Sequence, residues 1–293
     1  MPKQVYPTFD ISHLAANKLT NDILNADRFH TYLSANPHLK VPHTHSFYHI
    51  VFFTQGSGEH VIDFVRFPVR KGTIYFMRPG QVHNWQFKGD VDGYIVNFSA
   101  TFFDQLFMST QMVDQLPIFG ADITKHVVLL NKKVQTAIQQ KFEEIIQEQA
   151  LKDRASALMI ATLLIQLLLT VCRSMPDDMQ EKERGTQGLL LREFQALIEK
   201  HFVQMRLPKE YAELLFITPH QLNAICKESL GIPAGEVIRN RVVLEARRLL
   251  INFDLPIGEI AYRLNFTDHS YFIKFFKKYT GLTPEAFRKS NYK

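Results

Sequence analysis

The sequence predicts a mixed α+β protein that is rich in strands at its N-terminal end and helical at its C-terminal end. Over about the first 120 residues, short runs of β-branched and aromatic residues alternate with turn signals such as QGSG and RPGQ. From about residue 131 onward, apolar residues recur three or four positions apart, as on one face of a helix. The length of 293 residues is enough for two hydrophobic cores.

The domain boundaries are expected where the composition changes. The segment SMPDDMQEKERGTQG, which follows a long apolar stretch, is polar and charged and contains both proline and glycine, as linkers do. We therefore expect a β-rich domain with its own helices over residues 1–175, a linker over 176–187 and an all-helical domain over 188–293.

The apolar stretch ALMIATLLIQLLLTVC (residues 157–172) has to be distinguished from a membrane span. It is shorter than the ~20 residues that a span requires, and Thr162 and Gln166 interrupt it. A buried helix is the better interpretation, so no membrane association is predicted. The two cysteines, Cys172 and Cys226, give no sign of pairing, and the N-terminus has no secretory pattern, so we expect a cytoplasmic protein.

Positive charge is concentrated at the C-terminal end of the chain. The formal net charge is +5. Basic and acidic residues are equal in number up to Gly185, so the whole excess lies in the last third. A basic module joined to a neutral one favours a polyanion as the partner of the basic module. A charge of this size does not by itself identify that partner.

The helical domain contains an internal repeat. Residues 210–232 (EYAELLFITPHQLNAICKESLGI) align with residues 259–282 (EIAYRLNFTDHSYFIKFFKKYTGL). The offset is 49 positions in the first half of the repeat and 50 in the second half, so the copies differ by one residue near the start of their second helix. Each copy predicts a helix, a tight turn, a second helix and a terminating glycine, which is the order of a helix-turn-helix motif.

In such a motif the second helix enters the DNA major groove with its N-terminal half. Thr218 and Thr267 are expected to cap these two recognition helices, because threonine is a favourable N-cap residue. Helix N-termini favour phosphate contacts, and Asn, Gln and Lys side chains suit base edges. The predicted DNA-binding residues are Thr218, His220, Gln221, Asn223 and Lys227 in the first copy and Thr267, His269, Ser270, Lys274, Lys277 and Lys278 in the second.

The segment IAYRLNFTDHSYFIKFFKKYTGLTPEAFR (residues 260–288) resembles the second helix-turn-helix of the AraC/XylS family of transcription regulators. It carries that family's Ile-Ala, Ser-Tyr-Phe, Phe-Lys-Lys, Gly, Thr-Pro and Phe-Arg elements in order. The connecting segment EVIRNRVVLEARRLL (residues 236–250) also matches, so the resemblance is continuous across the helical domain. It implies two recognition helices in successive major-groove turns on one face of DNA, ~34 Å apart.

Two positions depart from the family pattern. Asn265 stands where the family usually has glycine at the turn, and asparagine is the next-best residue for a positive φ, so the turn should persist at a small cost. Ala224 stands where the family often has arginine on the first recognition helix, which removes one expected DNA contact.

Three histidines lie close together in PHTHSFYHIVFF (residues 42–53). Because side chains alternate between the faces of a strand, His43, His45 and His49 are expected on one face. The later segment RPGQVHNW adds His83, and Trp85 shares the parity of His83. We expect these five residues to line the binding site of a small ligand.

The spacing His-x-His-x3-His, followed by Pro-Gly-x-x-His, resembles the cupin barrel, in whose metal-binding members the third position is usually glutamate. AraC-type regulators commonly carry a cupin-like barrel that binds an effector without metal, which implies effector binding and no cofactor here. Two alternatives stay open. A sensor could hold zinc, iron, copper or nickel at His43, His45, His49 and His83, or the chain could be a metal-dependent cupin enzyme with a fused helical domain.

These features together predict an effector-responsive, sequence-specific DNA-binding transcription regulator and not an enzyme. The family that the chain resembles favours an activator with a cupin-like β-barrel, helices and an all-α domain with two helix-turn-helix motifs. The expected partners are double-stranded DNA, RNA polymerase, a sugar or other polar metabolite, and a second copy of the chain that dimerises through helices between about residues 125 and 175. For the apolar helix over residues 155–173, packing on the barrel within one chain is an equal alternative to a helix–helix seam. An architectural DNA binder without an effector would leave the barrel without a role.

Overall fold

A computed structural model describes residues 7–14, 23–106, 111–114, 116–120, 122–151, 153, 155–176 and 185–290. These residues form an N-terminal unit within Pro7–Pro176 and a C-terminal unit within Asp177–Lys293. The mixed α+β class is confirmed, because the strands lie in the first unit and the described part of the second is helical. Residues 177–184 of the expected linker lie outside the described residues, and residues 185–187 form the start of a helix.

The strands of the N-terminal unit form three sheets. The strands are β1 Thr8–Phe9, β2 Leu24–Arg28, β3 Thr44–His45, β4 Phe47–Gln55, β5 Gly58–Ile62, β6 Val65–Val69, β7 Thr73–Met77, β8 His83–Phe87, β9 Asp92–Ser99 and β10 Val127–Leu129. An antiparallel sheet has the order β10-β7-β4-β9-β2, a second has the order β6-β5-β8, and β1 pairs in parallel with β3. An isolated bridge between His43 and His83 joins the segment before β3 to β8.

The N-terminal unit also contains four described helices, and the third of them packs on one face of the five-stranded sheet. They are α1 Phe29–Ala35, α2 Gln111–Asp114, α3 Lys132–Leu151 and α4 Ser156–Ser174, with 3₁₀ turns at Ile11–His13, Pro37–Lys40, Asp104–Leu106, Pro117–Phe119 and Ile123–His126. Phe142 of α3 stacks on Phe52 and Tyr94, with ring centroids 6.2 and 5.5 Å apart. Gln149 of α3 makes two hydrogen bonds with the backbone of Ala26 in β2, at 2.7 and 3.1 Å.

The core of the unit lies on the other face of β4. Because β4 is covered on both faces, its odd-numbered and even-numbered residues are both buried, and the sequence is apolar along most of the strand. Phe47, Val51 and Phe53 contribute to an aromatic and aliphatic cluster that also contains Trp85 and Ile95. This cluster surrounds the histidines that the sequence singled out.

Helix α4 is the apolar segment that had to be distinguished from a membrane span. By length and composition it could cross a membrane, with a mean hydropathy of 1.9, but 44% of that stretch is buried inside the unit. Its buried face includes Ile160, Leu164 and Leu167, and the helix packs on α3, as the prediction of a buried helix required. The opposite face still exposes Leu158 (53%) and Leu169 (41%).

The C-terminal unit is arranged around one long helix. Its helices are α5 Gly185–His201, α6 Pro208–Leu214, α7 Pro219–Leu230, α8 Ala234–Ile251, α9 Ile257–Arg263, α10 His269–Thr280 and α11 Pro284–Ser290. Helix α8 contacts all the others in this described set. Its buried residues Ile238, Val242, Ala246 and Leu250 recur every four positions, which gives one apolar face for the two helix-turn-helix copies to share.

A second link joins the two copies without passing through α8. The guanidinium of Arg206, just before α6, donates a hydrogen bond to the Leu264 carbonyl oxygen in the turn of the second copy. The same guanidinium lies over the Phe266 ring, 4.9 Å from its centroid. This contact holds the start of the first copy against the turn of the second, and nothing in the repeat pattern indicated it.

Candidate functional site

Both helix-turn-helix copies have the same tight turn. In the first copy the Ile217 N–H donates to the Ala212 carbonyl at 3.0 Å, and in the second the Phe266 N–H donates to Ala261 at 2.9 Å. The residue before each donor has a positive φ, 54° at Phe216 and 57° at Asn265. The prediction that asparagine supports this turn is confirmed. Phe216 was not singled out from the sequence, although it occupies the position equivalent to Asn265.

The first recognition helix, α7, starts where the sequence predicted. The Gln221 backbone N–H donates to Thr218 Oγ1 at 3.1 Å, and the Thr218 backbone N–H donates to Gln221 Oε1 at 2.9 Å. This reciprocal pair is a capping box, so both side chains are engaged in starting the helix. Gly231 ends the helix with a φ of 73°, as expected of a terminating glycine.

The other predicted DNA-binding residues of α7 differ in exposure. His220 and Lys227 are exposed and are seven residues apart, so they lie on the same side of the helix. Asn223 is half-buried, and its Oδ1 accepts a hydrogen bond from the Ala234 N–H at 3.0 Å. Its amide oxygen therefore fixes α7 to the start of α8.

The second recognition helix, α10, is capped by Asp268, so the prediction that Thr267 is the N-cap is wrong. Asp268 Oδ1 accepts hydrogen bonds from the backbone N–H groups of Ser270 and Tyr271, at 2.7 and 3.4 Å. The reason is the extra residue in the second copy. It places Asp268, at an offset of 50, in the position of Thr218, and aspartate is itself a favourable N-cap.

Helix α10 separates an apolar face from a basic one. Phe272 and Phe276 are buried against the unit. The predicted DNA-binding residues of this copy are all exposed: Thr267, His269, Ser270, Lys274, Lys277 and Lys278. Because Ser270, Lys274 and Lys277 follow one another at intervals of four and three residues, they form a continuous polar stripe along the helix.

The predicted histidines of the N-terminal unit do come together. His43, His45, His49 and His83 are each at most 2% exposed. The ring centroids of His45 and His83 are 4.8 Å apart, and each of these two rings lies between 4.3 and 5.3 Å from those of His43 and His49. Trp85 lies beside them, with its ring centroid 5.0 Å from that of His83. Tyr48 points elsewhere, as its parity indicated, and its hydroxyl donates to Asp114 at 2.6 Å.

Two further residues that contact these histidines were not found from the sequence. His60 of β5 is fully buried, and its Nε2 lies 3.1 Å from His83 Nδ1. Asn97 of β9 accepts a hydrogen bond at its Oδ1 from His49 Nδ1 at 2.6 Å. Both come from strands whose register with β8 and β4 had to be known first. We refer to His43, His45, His49, His60 and His83 as the histidine cluster.

Burial decides the charge of the histidine cluster. Loss of hydration holds the pKa values of His45, His60 and His83 well below the usual value of 6.5, and neighbouring histidines lower them further. Loss of hydration also lowers the pKa of His49 to about 3, although the contact with Asn97 opposes this shift. The imidazoles of these four histidines are therefore neutral at pH 7. Within the described part of the chain, no hydrogen-bond partner reaches His45 Nδ1, His49 Nε2, His60 Nδ1 or His83 Nε2.

The fold and these two sites define a DNA-binding protein with a separate ligand-binding domain. Residues 27–168 match the family described as an AraC-like ligand binding domain, and residues 211–290 match the family described as a helix-turn-helix domain. The chain belongs to the AraC family of transcription regulators. Because this is a family of regulators, the alternative of a metal-dependent cupin enzyme is set aside.

The chain is also similar to individual proteins and solved structures. The HTH-type transcriptional activator RhaS of Escherichia coli O139:H28 (strain E24377A / ETEC) is 24% identical over 247 residues, which are 84% of this chain and 86% of that protein. The C-terminal domain of the response regulator yesN from Fusobacterium nucleatum is 31% identical, with a TM-score of 0.31, over 32% of this chain and 93% of that one. ToxT from Vibrio cholerae O395 is 12% identical, with a TM-score of 0.44, over 83% and 89% of the two chains.

Proposed function

We propose that this AraC-family chain is a cytoplasmic transcription activator that binds a specific operator and responds to a small effector. The observation that carries the proposal is the pairing of two sites in one chain. One unit exposes polar and basic side chains on two recognition helices, and the other buries a cluster of imidazoles, four of whose ring nitrogens have no hydrogen-bond partner among the described residues. The cytoplasm is the compartment in which such a regulator meets DNA. The similarity to RhaS, which is named a transcriptional activator, supports activation, and activation implies contact with RNA polymerase.

The proposed DNA contacts are of two kinds, contacts with base edges and contacts with phosphates. His220 and Lys227 of α7, and Ser270 and Lys274 of α10, are exposed and suited to base edges in the major groove. Lys277 is placed further along α10, where a phosphate contact is the simpler role. The other predicted contacts are Thr218, Gln221, Asn223, Thr267, His269 and Lys278.

Three of these residues make hydrogen bonds within the C-terminal unit, and these bonds limit their contacts with DNA bases. Thr218 and Gln221 form the cap of α7, so we propose that they act on DNA through the helix N-terminus that they organise. Asn223 uses its amide oxygen on Ala234, so the two-bond contact to adenine would require that bond to break.

The proposed effector site is the region around His43, His45, His49, His83 and Trp85. These side chains are buried, polar or aromatic, and grouped in one place, which is typical of a small-ligand site. An effector can change transcription only if it binds one arrangement of the protein more tightly than another. We propose that its binding in this unit favours the arrangement that engages both half-sites of the operator.

The proposed homodimer uses the outer face of α4. Leu158, Thr162, Ile165 and Leu169 follow one another at intervals of four, three and four residues, which is the spacing of a helix–helix seam. We refer to these four residues as the α4 seam. Two leucines of the seam are exposed while the opposite face of α4 packs within the unit, so a second copy could cover them with twofold symmetry.

The test is to incubate the purified full-length chain with fragmented DNA from its own source organism and to sequence the DNA that it retains. We expect a motif with paired elements whose centres are about 10 base pairs apart, one for each recognition helix. A variant with Lys274→Ala and Lys277→Ala serves as the matched control and should not enrich the motif. Featureless recovery by the unchanged protein, with and without cell extract, would contradict the proposal.

A further inference from the structure

The histidine cluster has room for a ligand far smaller than a sugar. Its five imidazoles are at most 2% exposed, and the ring centroids of His43 and His83 are only 4.3 Å apart. A monosaccharide could enter only if these rings moved apart. An ion needs no more than a point at which several ring nitrogens converge. The dimensions of the cluster therefore favour an ion.

Hydrogen bonds outside the cluster fix which ring nitrogen carries the proton in two of these histidines. His43 Nδ1 lies 2.7 Å from the Val41 carbonyl oxygen, and His49 Nδ1 lies 2.6 Å from Asn97 Oδ1. Each Nδ1–H donates to its oxygen, so each Nε2 carries a lone pair. Metal-binding histidines have this arrangement, in which the outer nitrogen donates to a carbonyl and the inner one binds the metal.

The inner nitrogens have the spacing of a metal coordination shell. One ring nitrogen from each of His43, His45 and His83 lies within 4.8 Å of the other two. His43 Nε2 and His45 Nε2 are 3.2 Å apart. Two nitrogens bound to one zinc ion at ~2.0–2.1 Å in tetrahedral geometry are roughly 3.3 Å apart. His49 lies outside this set of mutually close nitrogens, and its Nε2, which no donor in the described residues reaches, becomes a fourth ligand when its ring moves toward the other three.

We propose that His43, His45, His49 and His83 bind one divalent transition-metal ion and that this ion is the effector. The inference rests on the proposed function, which places the effector in this cluster, and it replaces a polar metabolite with a metal ion as the effector class. A set of imidazole nitrogens suits Zn²⁺, Co²⁺, Ni²⁺ or Cu²⁺ and does not suit Mg²⁺ or Ca²⁺, which prefer oxygen ligands.

His60 has a separate role as a positioning residue. Its Nε2 lies 3.1 Å from His83 Nδ1. If His83 Nδ1–H donates to His60, the lone pair of His83 is on Nε2, which is then the nitrogen available to the ion. His60 thus sets the tautomer of His83 without touching the ion. Replacing such an outer partner commonly weakens metal binding by about 10- to 100-fold without changing the number of ions bound.

The test uses the full-length chain, purified without a histidine tag, stripped with a chelator and titrated with Co²⁺. We expect one Co²⁺ per chain, the visible absorption bands of tetrahedral cobalt, displacement by Zn²⁺ and no displacement by Mg²⁺. His49→Gln and His83→Gln should each abolish stoichiometric binding. His30→Gln, which changes an exposed histidine outside the cluster, is the matched control and should bind as the unchanged protein does.

His60→Gln should still bind one Co²⁺ with the same spectrum, but about 10- to 100-fold more weakly. Circular dichroism of each stripped variant checks that it is folded. Because the stoichiometry and spectrum of the unchanged protein are measured directly, the metal site remains testable even if a variant does not fold. Substoichiometric Co²⁺ binding, or a spectrum unaffected by both His49→Gln and His83→Gln, would overturn the metal site.

Operator binding with and without Zn²⁺ separates this inference from the proposed function. A change in operator affinity with Zn²⁺, lost in His83→Gln, supports the metal ion as effector. Stoichiometric metal without any effect on operator affinity would overturn the ion's role as effector. If no metal binds but a polar metabolite alters operator affinity, the inference fails and the proposed function stands. If no operator exists, the proposed function itself fails.

Discussion

The carboxylate of Asp268 begins the second recognition helix, whereas the hydroxyl of Thr218 begins the first. A negative charge at a helix N-terminus is stabilised by the helix dipole, but it repels a phosphate at the same place. Asp268 Oδ1 already accepts from the Ser270 N–H, so the N-terminal anion site of α10 is occupied by the chain itself. The first recognition helix is therefore better suited to a phosphate at its N-terminus than the second.

Replacing Asp268 with serine tests this asymmetry. Serine is also a good N-cap, so Asp268→Ser should cost less than about 1 kcal/mol of stability. Removing the carboxylate should tighten binding to DNA of any sequence, because one repulsive charge is lost. Fluorescence anisotropy with a random duplex at several salt concentrations measures the effect, and Glu285→Gln, at an exposed carboxylate in α11, is the control. Unchanged or weaker binding would show that this end of α10 does not approach a phosphate.

Lys274 and Lys277 lie on one stripe of α10 but are expected to act differently. Lys274→Ala should weaken binding to the operator by about 1–3 kcal/mol and leave random DNA less affected, since it removes a base contact. Lys277→Ala should weaken both to a similar extent and reduce the salt dependence by about one phosphate contact. Lys289→Ala, which removes an exposed lysine of α11, is the control. Identical curves for both variants and the unchanged protein would mean that α10 does not bind DNA as proposed.

The buried histidines make the stability of the N-terminal unit depend on pH. His49 has a pKa of about 3 in the folded chain and 6.5 as its usual value, so the unfolded state takes up a proton first as the pH falls. Above pH 6.5 the contribution of His49 to the free energy of unfolding is constant. As the pH falls from 6.5 to about 3, this residue lowers the free energy of unfolding by about 1.4 kcal/mol per pH unit. Urea unfolding of the metal-stripped chain at pH 7, 6 and 5 measures this slope.

His49→Gln should therefore lose stability less steeply below pH 6.5 than the unchanged protein, because one buried titrating group is gone. His30→Gln should keep the original slope, since His30 is exposed. Equal slopes for all three proteins would indicate that His49 is hydrated or already protonated in the folded state.

At the scale of single elements, helices α7 and α10 were predictable because each has its own periodicity and a terminating glycine, and α8 was predictable from its periodicity alone. The cap of α10 was mispredicted because both Thr267 and Asp268 are good N-caps, and only the offset of 50 residues distinguishes them. The positive φ at Phe216, in the turn before α7, was not predicted for a different reason. Phenylalanine is unusual at a positive φ, so Phe216 gave no local sign of the turn that the repeat places there.

Substitutions at the two turn residues are expected to have opposite effects on the stability of the C-terminal unit. Phe216 is 96% exposed and has a φ of 54°, so its side chain adds strain without packing. Phe216→Asn should stabilise the C-terminal unit by roughly 0.5–1 kcal/mol, because asparagine tolerates this conformation. Asn265→Ala should destabilise the unit by about 1 kcal/mol for the converse reason. Thermal unfolding measures both changes. If Phe216→Asn leaves stability unchanged but weakens operator binding, the aromatic side chain serves DNA contact rather than the turn.

At the scale of the whole molecule, the fold class followed from periodicity, but the neighbours of each site residue did not. Strand parity placed His43, His45 and His49 on one face, and the structure brings them together. His60 could not be assigned because its contact with His83 depends on the pairing of β5 with β8. The link from Arg206 to Leu264 likewise joins residues 58 positions apart, and no local pattern encodes it.

Dimerisation through the α4 seam is the last property that belongs to the whole molecule. Leu158→Glu together with Leu169→Glu should convert the chain to a monomer, because it places four charges in a symmetric apolar interface. Each residue faces solvent in the single chain, so the variant should fold as before. Leu129→Glu, at an exposed leucine of β10 outside the seam, is the control and should remain dimeric. Sedimentation velocity gives the oligomeric state, and binding to paired operator half-sites should fall more than binding to a single one, since linkage of two DNA-binding units is lost. A double variant that sediments as the control does would place the dimer contact elsewhere on the chain.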